Sequence, residues 1–184
     1  RAMYESMAEA LRQGDADPAV RVHVFLGVPG IFSAGNDLHD FMAIATGGES
    51  GLEVWNFLEA LAGARKPILS GVDGIAVGIG TTINLHCDLT FATHRTVFRT
   101  PFVDLGLVPE AGSSLLVPAV VGRQQAFALL GLGEGFSADQ AKAAGLIYAV
   151  VSEEELEPAV MAAAALVASK PPEALKIARD LMRG

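Results

Sequence analysis

The sequence predicts an α/β fold in which most strands run parallel. Short apolar runs with the spacing of strands alternate with helix-like segments at short intervals, which is typical of this class. Apolar residues make up 51% of the 184 residues, which is enough for a substantial core and excludes intrinsic disorder. No apolar run is long enough and free enough of charge to cross a bilayer, so we expect no membrane association.

The first two thirds of the chain alternate between helix and strand. Residues 2–13 carry apolar side chains at helical spacing, and Gly14 is expected to end this helix. Residues 20–28 alternate in polarity as a strand does. Further strands are expected at 68–72, 75–77, 88–93 and 96–98, and further helices at 52–63 and 81–86.

The last third of the chain is expected to be mostly helical. Ser137 and Gln140 have the spacing of a capping box, in which a hydroxyl and an amide each accept from the other residue's backbone N–H. The helix that they open is expected to stop at Gly145. The other predicted elements of this region are a helix at 123–131, a strand at 150–151, and helices at 153–169 and 173–183.

The charge and the polar residue types exclude several classes of function. Thirteen basic against 21 acidic residues give a net charge of −8, which disfavours nucleic-acid binding because no field attracts phosphates. The single cysteine, Cys87, excludes an intrachain disulfide, and the four histidines lack the spacing of metal ligands, so we expect no metal. Charged residues are only 18% of the chain, so we expect other subunits to cover part of its apolar surface.

A glycine-rich segment, Gly78-Ile79-Gly80, lies between a predicted strand and a predicted helix. The free N–H groups of a helix start suit a phosphate or an oxyanion that develops during a reaction. Tight packing of the strand on the helix would explain the glycines equally well. The dinucleotide-binding fingerprint is excluded because its third glycine would fall at Ile83, and no P-loop motif occurs.

Two other segments are candidates for function. The loop at 32–38 follows a predicted buried strand, and its small residues expose backbone groups, although a simple polar turn is the alternative. Glu110 follows Pro109 among mostly apolar residues. Such surroundings raise the pKa of a carboxyl and make it a competent general base, whereas the alternative is a carboxylate that only stabilises a helix start. A serine nucleophile is not expected, because the required Gly-x-Ser-x-Gly motif is missing.

In order and spacing, these segments resemble the crotonase superfamily, which is the enoyl-CoA hydratase/isomerase family. The resemblance covers nearly the whole chain. It is carried by residues 32–38, by 74–80 followed by Cys87-Asp88, by 98–112, by Gly122-Arg123 and by 137–147.

The resemblance implies a crotonase-like ββα spiral with two nearly perpendicular sheets and a C-terminal helical region. Residues 1–140 would form the spiral core with the CoA and oxyanion-hole site. Residues 141–184 would begin the helical trimerisation region, with the family pattern incomplete at both ends. A homotrimer or a dimer of trimers is then expected, with a role in fatty acid metabolism such as β-oxidation. No signal peptide is recognisable, and we expect a cytoplasmic protein.

The resemblance also assigns a ligand and binding residues. The substrate would be an acyl-CoA thioester, with no separate cofactor because coenzyme A is part of the substrate. The backbone N–H groups of Asn36 and Ile79 would form the oxyanion hole. The substrate-binding residues would be Ser33, Ala34, Asp37, Leu38, Gly78, Gly80, Thr82 and Phe102. Three cations near the end of the chain are interpreted as solvated helix faces instead: Lys176, Arg179 and Arg183.

Departures from the family pattern indicate which reaction is catalysed. Hydratases of the family use two glutamates, and those positions here are Thr82 and Phe102, so ordinary hydration is disfavoured. Glu110 stands where Δ3,Δ2-enoyl-CoA isomerases carry their single catalytic glutamate. The resemblance thus implies an isomerase that moves a proton from C2 to C4, with Phe102, Leu105 and Leu107 raising the Glu110 pKa. The alternatives are a hydratase-type reaction, an aryl-CoA dehalogenase-like reaction, and a non-catalytic acyl-CoA-binding member.

Overall fold

The computed structural model describes residues 1–37 and 52–183, and within these ranges it contains two four-stranded sheets. The strands are β1 (His23–Leu26), β2 (Ile31–Ser33), β3 (Ile68–Val72), β4 (Ile75–Val77), β5 (Leu89–Thr93), β6 (Val97–Arg99), β7 (Phe136–Ser137) and β8 (Ala149–Val151). The predicted strands are all present, with bounds that differ most at the first.

Helices connect the strands and form most of the last third of the described chain. They are α1 (Ala2–Ala16), α2 (Leu52–Ala62), α3 (Ile79–Thr82), α4 (Ser113–Val121), α5 (Arg123–Ala126), α6 (Ala138–Ala143), α7 (Glu153–Ala168) and α8 (Pro172–Arg183). Helix α3 continues as a 3-10 turn at Ile83–His86, a second 3-10 turn lies at Val103–Leu105, and α5 continues as a π-helical turn at Phe127–Gly131.

Successive strands from β1 to β6 alternate between the two sheets. The first sheet has the order β1-β3-β5-β8 and the second the order β2-β4-β6-β7. The pairs β3–β5, β5–β8, β2–β4 and β4–β6 are parallel, whereas β6–β7 is antiparallel. Two neighbouring parallel strands must be joined by a crossover connection, and here each such connection passes through at least one strand of the other sheet. The prediction of a largely parallel α/β fold with two sheets is confirmed.

Three predicted element bounds are wrong for identifiable reasons. Helix α1 continues past Gly14, because the Asp17 backbone N–H donates to the Gln13 carbonyl at 3.0 Å and extends the helix. Gly14 instead allows a close approach, since a Cβ there would lie 2.5 Å from Cε1 of His23. Strand β1 starts only at His23, because the Val20 N–H donates into a turn, to the Asp17 carbonyl. Helix α3 starts two residues earlier than the predicted helix at 81–86.

The capping box at the start of α6 is confirmed. Ser137 Oγ accepts from the Gln140 N–H at 3.2 Å, and Gln140 Oε1 accepts from the Ser137 N–H at 2.9 Å. Reciprocal bonds of this kind satisfy two donors that a helix start otherwise leaves free. The helix ends at Ala143, two residues before Gly145, which has the positive φ of +83°.

The chain divides into two compact units. The first comprises Arg1–His23, Asn36–Ile68 and Ala163–Gly184, and in it α1 packs against α2. Arg179, on α8, is only 3% exposed and donates to the Ala64 carbonyl at 2.7 Å, so its interpretation as a solvated cation is wrong. The packing of α8 within this unit buries it. Lys176 fits the interpretation, because it is exposed and pairs with Asp180 one turn along the same helix.

The second unit comprises Val24–Gly35 and Leu69–Ala162. Its core is apolar and includes Val72, Ala76, Ala92, Phe98, Phe102, Val117, Leu129 and Phe136. The candidate residues Glu110, Ile79 and Thr82 belong to this unit. The predicted boundary at residue 140 stays a prediction.

A buried carboxylate joins several segments of the second unit. Asp73, in the turn between β3 and β4, accepts from the Gly30 N–H at 2.7 Å and from the Thr93 hydroxyl at 2.8 Å. The Arg95 guanidinium donates to both of its oxygens, through Nε at 2.7 Å and Nη2 at 2.5 Å. Arg95 therefore holds the pKa of Asp73 well below its usual range.

Replacing Asp73 with asparagine is expected to lower the free energy of unfolding by about 1–3 kcal/mol at neutral pH, since hydrogen bonds to a charged acceptor are lost. The folded pKa is depressed, so the stabilisation exists above the unfolded pKa of about 4 and is lost as the pH falls through the folded pKa. Urea unfolding of the wild type and of Asp73→Asn should show a difference in the free energy of unfolding that shrinks with acidification. Asp104→Asn is the control, because Asp104 pairs with Arg99 at 3.5 Å on the surface and should change stability little.

Candidate functional site

The segment Gly78–Gly80 forms the start of α3. Gly78 has the positive φ of +57°, and its N–H donates to the Arg99 carbonyl of β6 at 2.9 Å. The N–H groups of Thr81 and Thr82 donate back to the Gly78 carbonyl at 2.9 and 3.0 Å. Ile79 is thus the first helical residue, and an N–H at that position has no acceptor within its own helix.

The end of β2 packs backbone to backbone on this helix start. A Cβ at Gly80 would lie 2.7 Å from the Ser33 carbonyl oxygen, and a Cβ at Gly35 would lie 3.1 Å from the Val77 carbonyl oxygen. Both distances are too short for a side chain without a shift of the backbone. The glycines of the two predicted segments therefore allow Ser33–Gly35 to lie against Gly78–Gly80, which the sequence alone could not establish.

The other predicted residues of the first loop are divided between the two units. Ala34 is exposed in the second unit, whereas Asn36 and Asp37 belong to the first unit, where the Tyr4 hydroxyl donates to Asn36 Oδ1. Leu38 lies outside the described residues. The joint action of the Asn36 and Ile79 N–H groups stays a prediction.

Glu110 lies in the loop that precedes α4, and its side chain is partly buried. Its Oε1 accepts a hydrogen bond from the Thr82 hydroxyl of α3 at 2.6 Å. Burial raises the pKa of Glu110, and the Thr82 hydrogen bond opposes this in part. The predicted direction of the pKa shift is confirmed, and the result is a stronger base than an exposed glutamate.

The backbone around Glu110 is held at several points. The Glu110 carbonyl accepts from the Ser113 N–H at 2.9 Å and from the Ser113 hydroxyl at 2.6 Å. Ala111 has a φ of +52°, a left-handed conformation that costs a residue other than glycine about 1–3 kcal/mol. The Ala111 carbonyl is 2.8 Å from Nε2 of His86, and because a carbonyl only accepts, this nitrogen carries the proton.

The apolar residues expected around Glu110 are not all where the sequence placed them. Phe102 is 6% exposed and part of the core, and Leu107 packs against that core. Leu105 is 50% exposed, so the expectation that it contributes to burial of the carboxyl is not confirmed. Thr82, expected to bind substrate, is fully buried and bonded to Glu110.

A buried polar cluster holds α3 against the first sheet. The Asn84 amide donates to the Gly80 carbonyl at 2.8 Å, and its Oδ1 accepts from the Ser70 hydroxyl at 2.7 Å. Ser70 in turn lies 2.8 Å from the Thr90 hydroxyl. Because each of these side chains is almost completely buried and hydrogen-bonded, the cluster fixes the orientation of the helix start.

The sequence interpretation missed three residues that hold Glu110. The sequence predicts no role for His86, excludes only a nucleophilic role for the serines that follow Gly112, and predicts Thr82 as a substrate contact. One signal was available, because Thr82 and His86 are four residues apart in a predicted helix and so share a face. That spacing could not show that both side chains contact the segment that contains Glu110 and Ala111.

Within residues 1–37 and 52–183, no group of three His, Cys, Asp or Glu side chains is arranged to hold a metal ion. In the same ranges, the helices are too short or too polar to traverse a lipid bilayer.

The family model described as enoyl-CoA hydratase/isomerase matches residues 1–184. The chain belongs to the enoyl-CoA hydratase/isomerase family, the crotonase superfamily. This confirms the resemblance on which the site residues were assigned. A solved enoyl-CoA hydratase/isomerase from Pseudoalteromonas atlantica T6c has 38% identity and a TM-score of 0.93, covering 100% of this chain and 73% of that one. The fold is therefore that of the crotonase family.

Curated relatives in this family carry both isomerase and hydratase names. The chain is 35% identical over 175 residues to 1,2-epoxyphenylacetyl-CoA isomerase of Escherichia coli (strain K12), covering 92% of this chain and 67% of the relative. It is 33% identical over 186 residues to enoyl-CoA delta isomerase 2 of Rattus norvegicus, covering 98% of this chain. The chain spans 47% of the length of this rat relative.

Proposed function

We propose that this member of the crotonase family is a Δ3,Δ2-enoyl-CoA isomerase in which Glu110 is the only proton-transferring side chain. The observation that carries the proposal is the partly buried Glu110 carboxyl, whose pKa is raised by burial and whose Oε1 is fixed by the Thr82 hydroxyl. A carboxylate of this kind is suited to remove a proton from carbon next to a thioester.

The reaction moves one proton and one double bond. Glu110 takes a proton from C2 of a 3-enoyl-CoA, and the electron pair of that C–H bond spreads onto the thioester oxygen as a dienolate. The carboxylic acid then returns the proton to C4, while the double bond moves from C3–C4 to C2–C3. No atom is gained or lost, and Glu110 ends as the carboxylate with which it began.

The oxyanion would be stabilised by two backbone donors, the N–H groups of Asn36 and Ile79. Such donors are oriented before the reaction and act where negative charge develops; loss of one in other enzymes costs about 3–4 kcal/mol of transition-state stabilisation. Support comes from the position of Ile79 as the first residue of α3 and from the buried cluster that fixes this helix. Because the donors belong to the backbone, side chains at both positions can vary.

A single base is sufficient for isomerisation but not for hydration as the family performs it. By the family resemblance, the two positions that carry glutamates in family hydratases correspond to Thr82 and Phe102 here. The Thr82 hydroxyl donates its hydrogen bond to Glu110, and Phe102 is buried in the apolar core. Neither can activate a water molecule as a carboxylate does, which favours isomerase over hydratase.

The substrate that we propose is an acyl-CoA thioester, with coenzyme A as part of the substrate. Its binding would involve mainly the backbone of the two glycine-containing segments, and the proposed contact residues are Ser33, Ala34, Asp37, Leu38, Gly78 and Gly80. The proposed assembly is a homotrimer or a dimer of trimers. Cytoplasmic fatty acid oxidation is the proposed setting.

The proposal predicts a clear order of activities on two substrates. Isomerisation of trans-3-hexenoyl-CoA should be at least about 100-fold faster than hydration of crotonyl-CoA. Hydration needs the glutamates that family hydratases carry at the positions of Thr82 and Phe102, and these are missing here. Both reactions are followed by ultraviolet absorbance of the conjugated thioester under identical conditions. Hydration that matches or exceeds isomerisation would contradict the proposal, and binding without turnover of either substrate would favour a non-catalytic acyl-CoA-binding protein.

A further inference from the structure

We propose that Thr82 and His86 form a two-point clamp that positions Glu110, with Thr82 holding its carboxylate and His86 holding the backbone of the following residue. The clamp is defined as these two side chains and their two contacts. It rests on the proposed function, because Glu110 is taken as the base. Neither residue touches substrate in this proposal, so both are positioning residues.

The geometry of the clamp follows from one helical segment. Thr82 is the last residue of α3 and His86 the last residue of the 3-10 turn that continues it, so the two are four residues apart. Thr82 Oγ1 lies 2.6 Å from Glu110 Oε1, and His86 Nε2 lies 2.8 Å from the Ala111 carbonyl oxygen. Glu110 and Ala111, which are adjacent in the loop, are thus both hydrogen-bonded to side chains of one helical segment.

The loop needs such support because of its backbone conformation. Ala111 and Gly112 both have positive φ angles, of +52° and +70°, and an alanine adopts this conformation only where its surroundings impose it. The His86 hydrogen bond acts on the carbonyl of this strained residue, directly after the base. Without it, the peptide after Glu110 can rotate and the carboxylate can leave its position.

The clamp is itself anchored to both sheets. The Thr81 hydroxyl donates to the Ala76 carbonyl of β4 at 2.6 Å and accepts from the Arg99 N–H of β6 at 3.0 Å. Asn84 ties the same segment to Ser70 of β3. The position of Glu110 is therefore defined relative to the sheets as well as by the contacts of Ser113 within its own segment.

The Thr82 hydroxyl suits both protonation states of the base. While Glu110 is ionised, the hydroxyl donates to it, which favours the charged form. After Glu110 has taken the proton, the same hydroxyl can rotate and accept a hydrogen bond from the carboxylic acid. Burial raises the Glu110 pKa, and this hydroxyl lowers it in part.

The first test compares Thr82→Val, which keeps the shape but removes the hydroxyl, with Thr82→Ser, which keeps the hydroxyl. The Glu110 carboxyl is titrated by ¹³C NMR, with Glu110→Gln used to assign its signal. We expect Thr82→Val to raise the Glu110 pKa above that of the wild type and Thr82→Ser to restore it. For trans-3-hexenoyl-CoA, Thr82→Val should lower kcat about 10- to 100-fold with little change in KM, because a hydrogen bond to a charged acceptor is lost.

The second test compares His86→Leu with His86→Gln, whose amide N–H can replace the Nε2 donor. We expect His86→Leu to lower kcat and to broaden or split the Glu110 carboxyl signal, and His86→Gln to recover both. Unchanged Glu110 titration and kcat in Thr82→Val would overturn the clamp, as would a wild-type signal and kcat in folded His86→Leu. The titrations also separate the two proposals, since they report on the clamp even if isomerisation is absent.

Discussion

Replacing Glu110 with glutamine is expected to reduce isomerisation of trans-3-hexenoyl-CoA by about 100- to 10,000-fold, the usual contribution of a general base. The substitution is nearly isosteric, and the glutamine carbonyl can still accept from the Thr82 hydroxyl, which is 2.6 Å from Oε1 in the wild type. Only the ability to take and return a proton is removed. KM should change little, and the loss should appear in kcat.

The same substitution is expected to raise the melting temperature at neutral pH. Burial raises the pKa of Glu110, so the folded protein disfavours the ionised form that is present above this pKa. A carboxyl whose folded pKa is raised stabilises the fold most below the unfolded pKa of about 4, and this stabilisation is lost as the pH rises through the folded pKa. The melting temperature of Glu110→Gln should therefore exceed that of the wild type near neutral pH, and this difference should shrink on acidification.

These effects are measured by steady-state kinetics and by thermal unfolding over a pH series. The matched control is Glu154→Gln, because Glu154 is an exposed glutamate in the first turn of α7. It should leave both kcat and the melting temperature close to wild type. Activity of Glu110→Gln near that of the wild type would remove Glu110 from the mechanism.

Replacing Gly74 with alanine is expected to lower the free energy of unfolding by about 3 kcal/mol or more, a large part of the stability of a typical domain. Gly74 lies in the turn between β3 and β4 with a φ of +75°, and a Cβ there would lie 1.9 Å from the Gly30 carbonyl oxygen. No side-chain rotation relieves this clash, because both partners are backbone. The turn must therefore open, which weakens the contact of the Gly74 carbonyl with the Val97 N–H at 3.1 Å.

Gly106→Ala is the control for the positive φ. Gly106 is left-handed, with φ +69° and ψ +21°, and a Cβ there meets no atom within 4 Å. This variant should lose only the cost of a left-handed alanine, about 1–2 kcal/mol. The two variants are compared by urea unfolding, and equal losses would show that the approach to Gly30 has no energetic importance.

The sequence predicted those features of the fold that depend on local pattern. Apolar patterns located six of the eight strands in the described ranges but not the short β7 or β2, whose last two residues were expected in a loop. The spacing of Ser137 and Gln140 predicted a capping box that is present in full. These features follow from hydrophobic periodicity and from hydrogen bonds over a few residues. The bounds of α1 and β1 were less predictable, because the close approach of His23 to Gly14 and the turn at Val20 override the local preference.

The candidate site was predictable as a set of residues but not as an arrangement. The apolar neighbours made Glu110 a candidate, the family resemblance assigned it as the base, and burial raises its pKa as expected. The sequence could not reveal that Thr82, 28 residues away, is its hydrogen-bond donor. Nor could it reveal that Leu105 is half exposed, since an apolar residue in a loop can face either way.

By itself, the sequence determined the α/β class and the glycine-containing segments, and through the family resemblance it pointed to the carboxylate proposed as the base, because these depend on residue type and spacing along the chain. Only the tertiary structure decided which partners those residues have: Thr82 for Glu110, His86 for Ala111, and the Ala64 carbonyl for the buried Arg179. Each of these contacts joins residues that are distant in the chain, 115 apart for Arg179. Contacts of that range depend on how whole elements pack, and local sequence patterns carry no record of that packing.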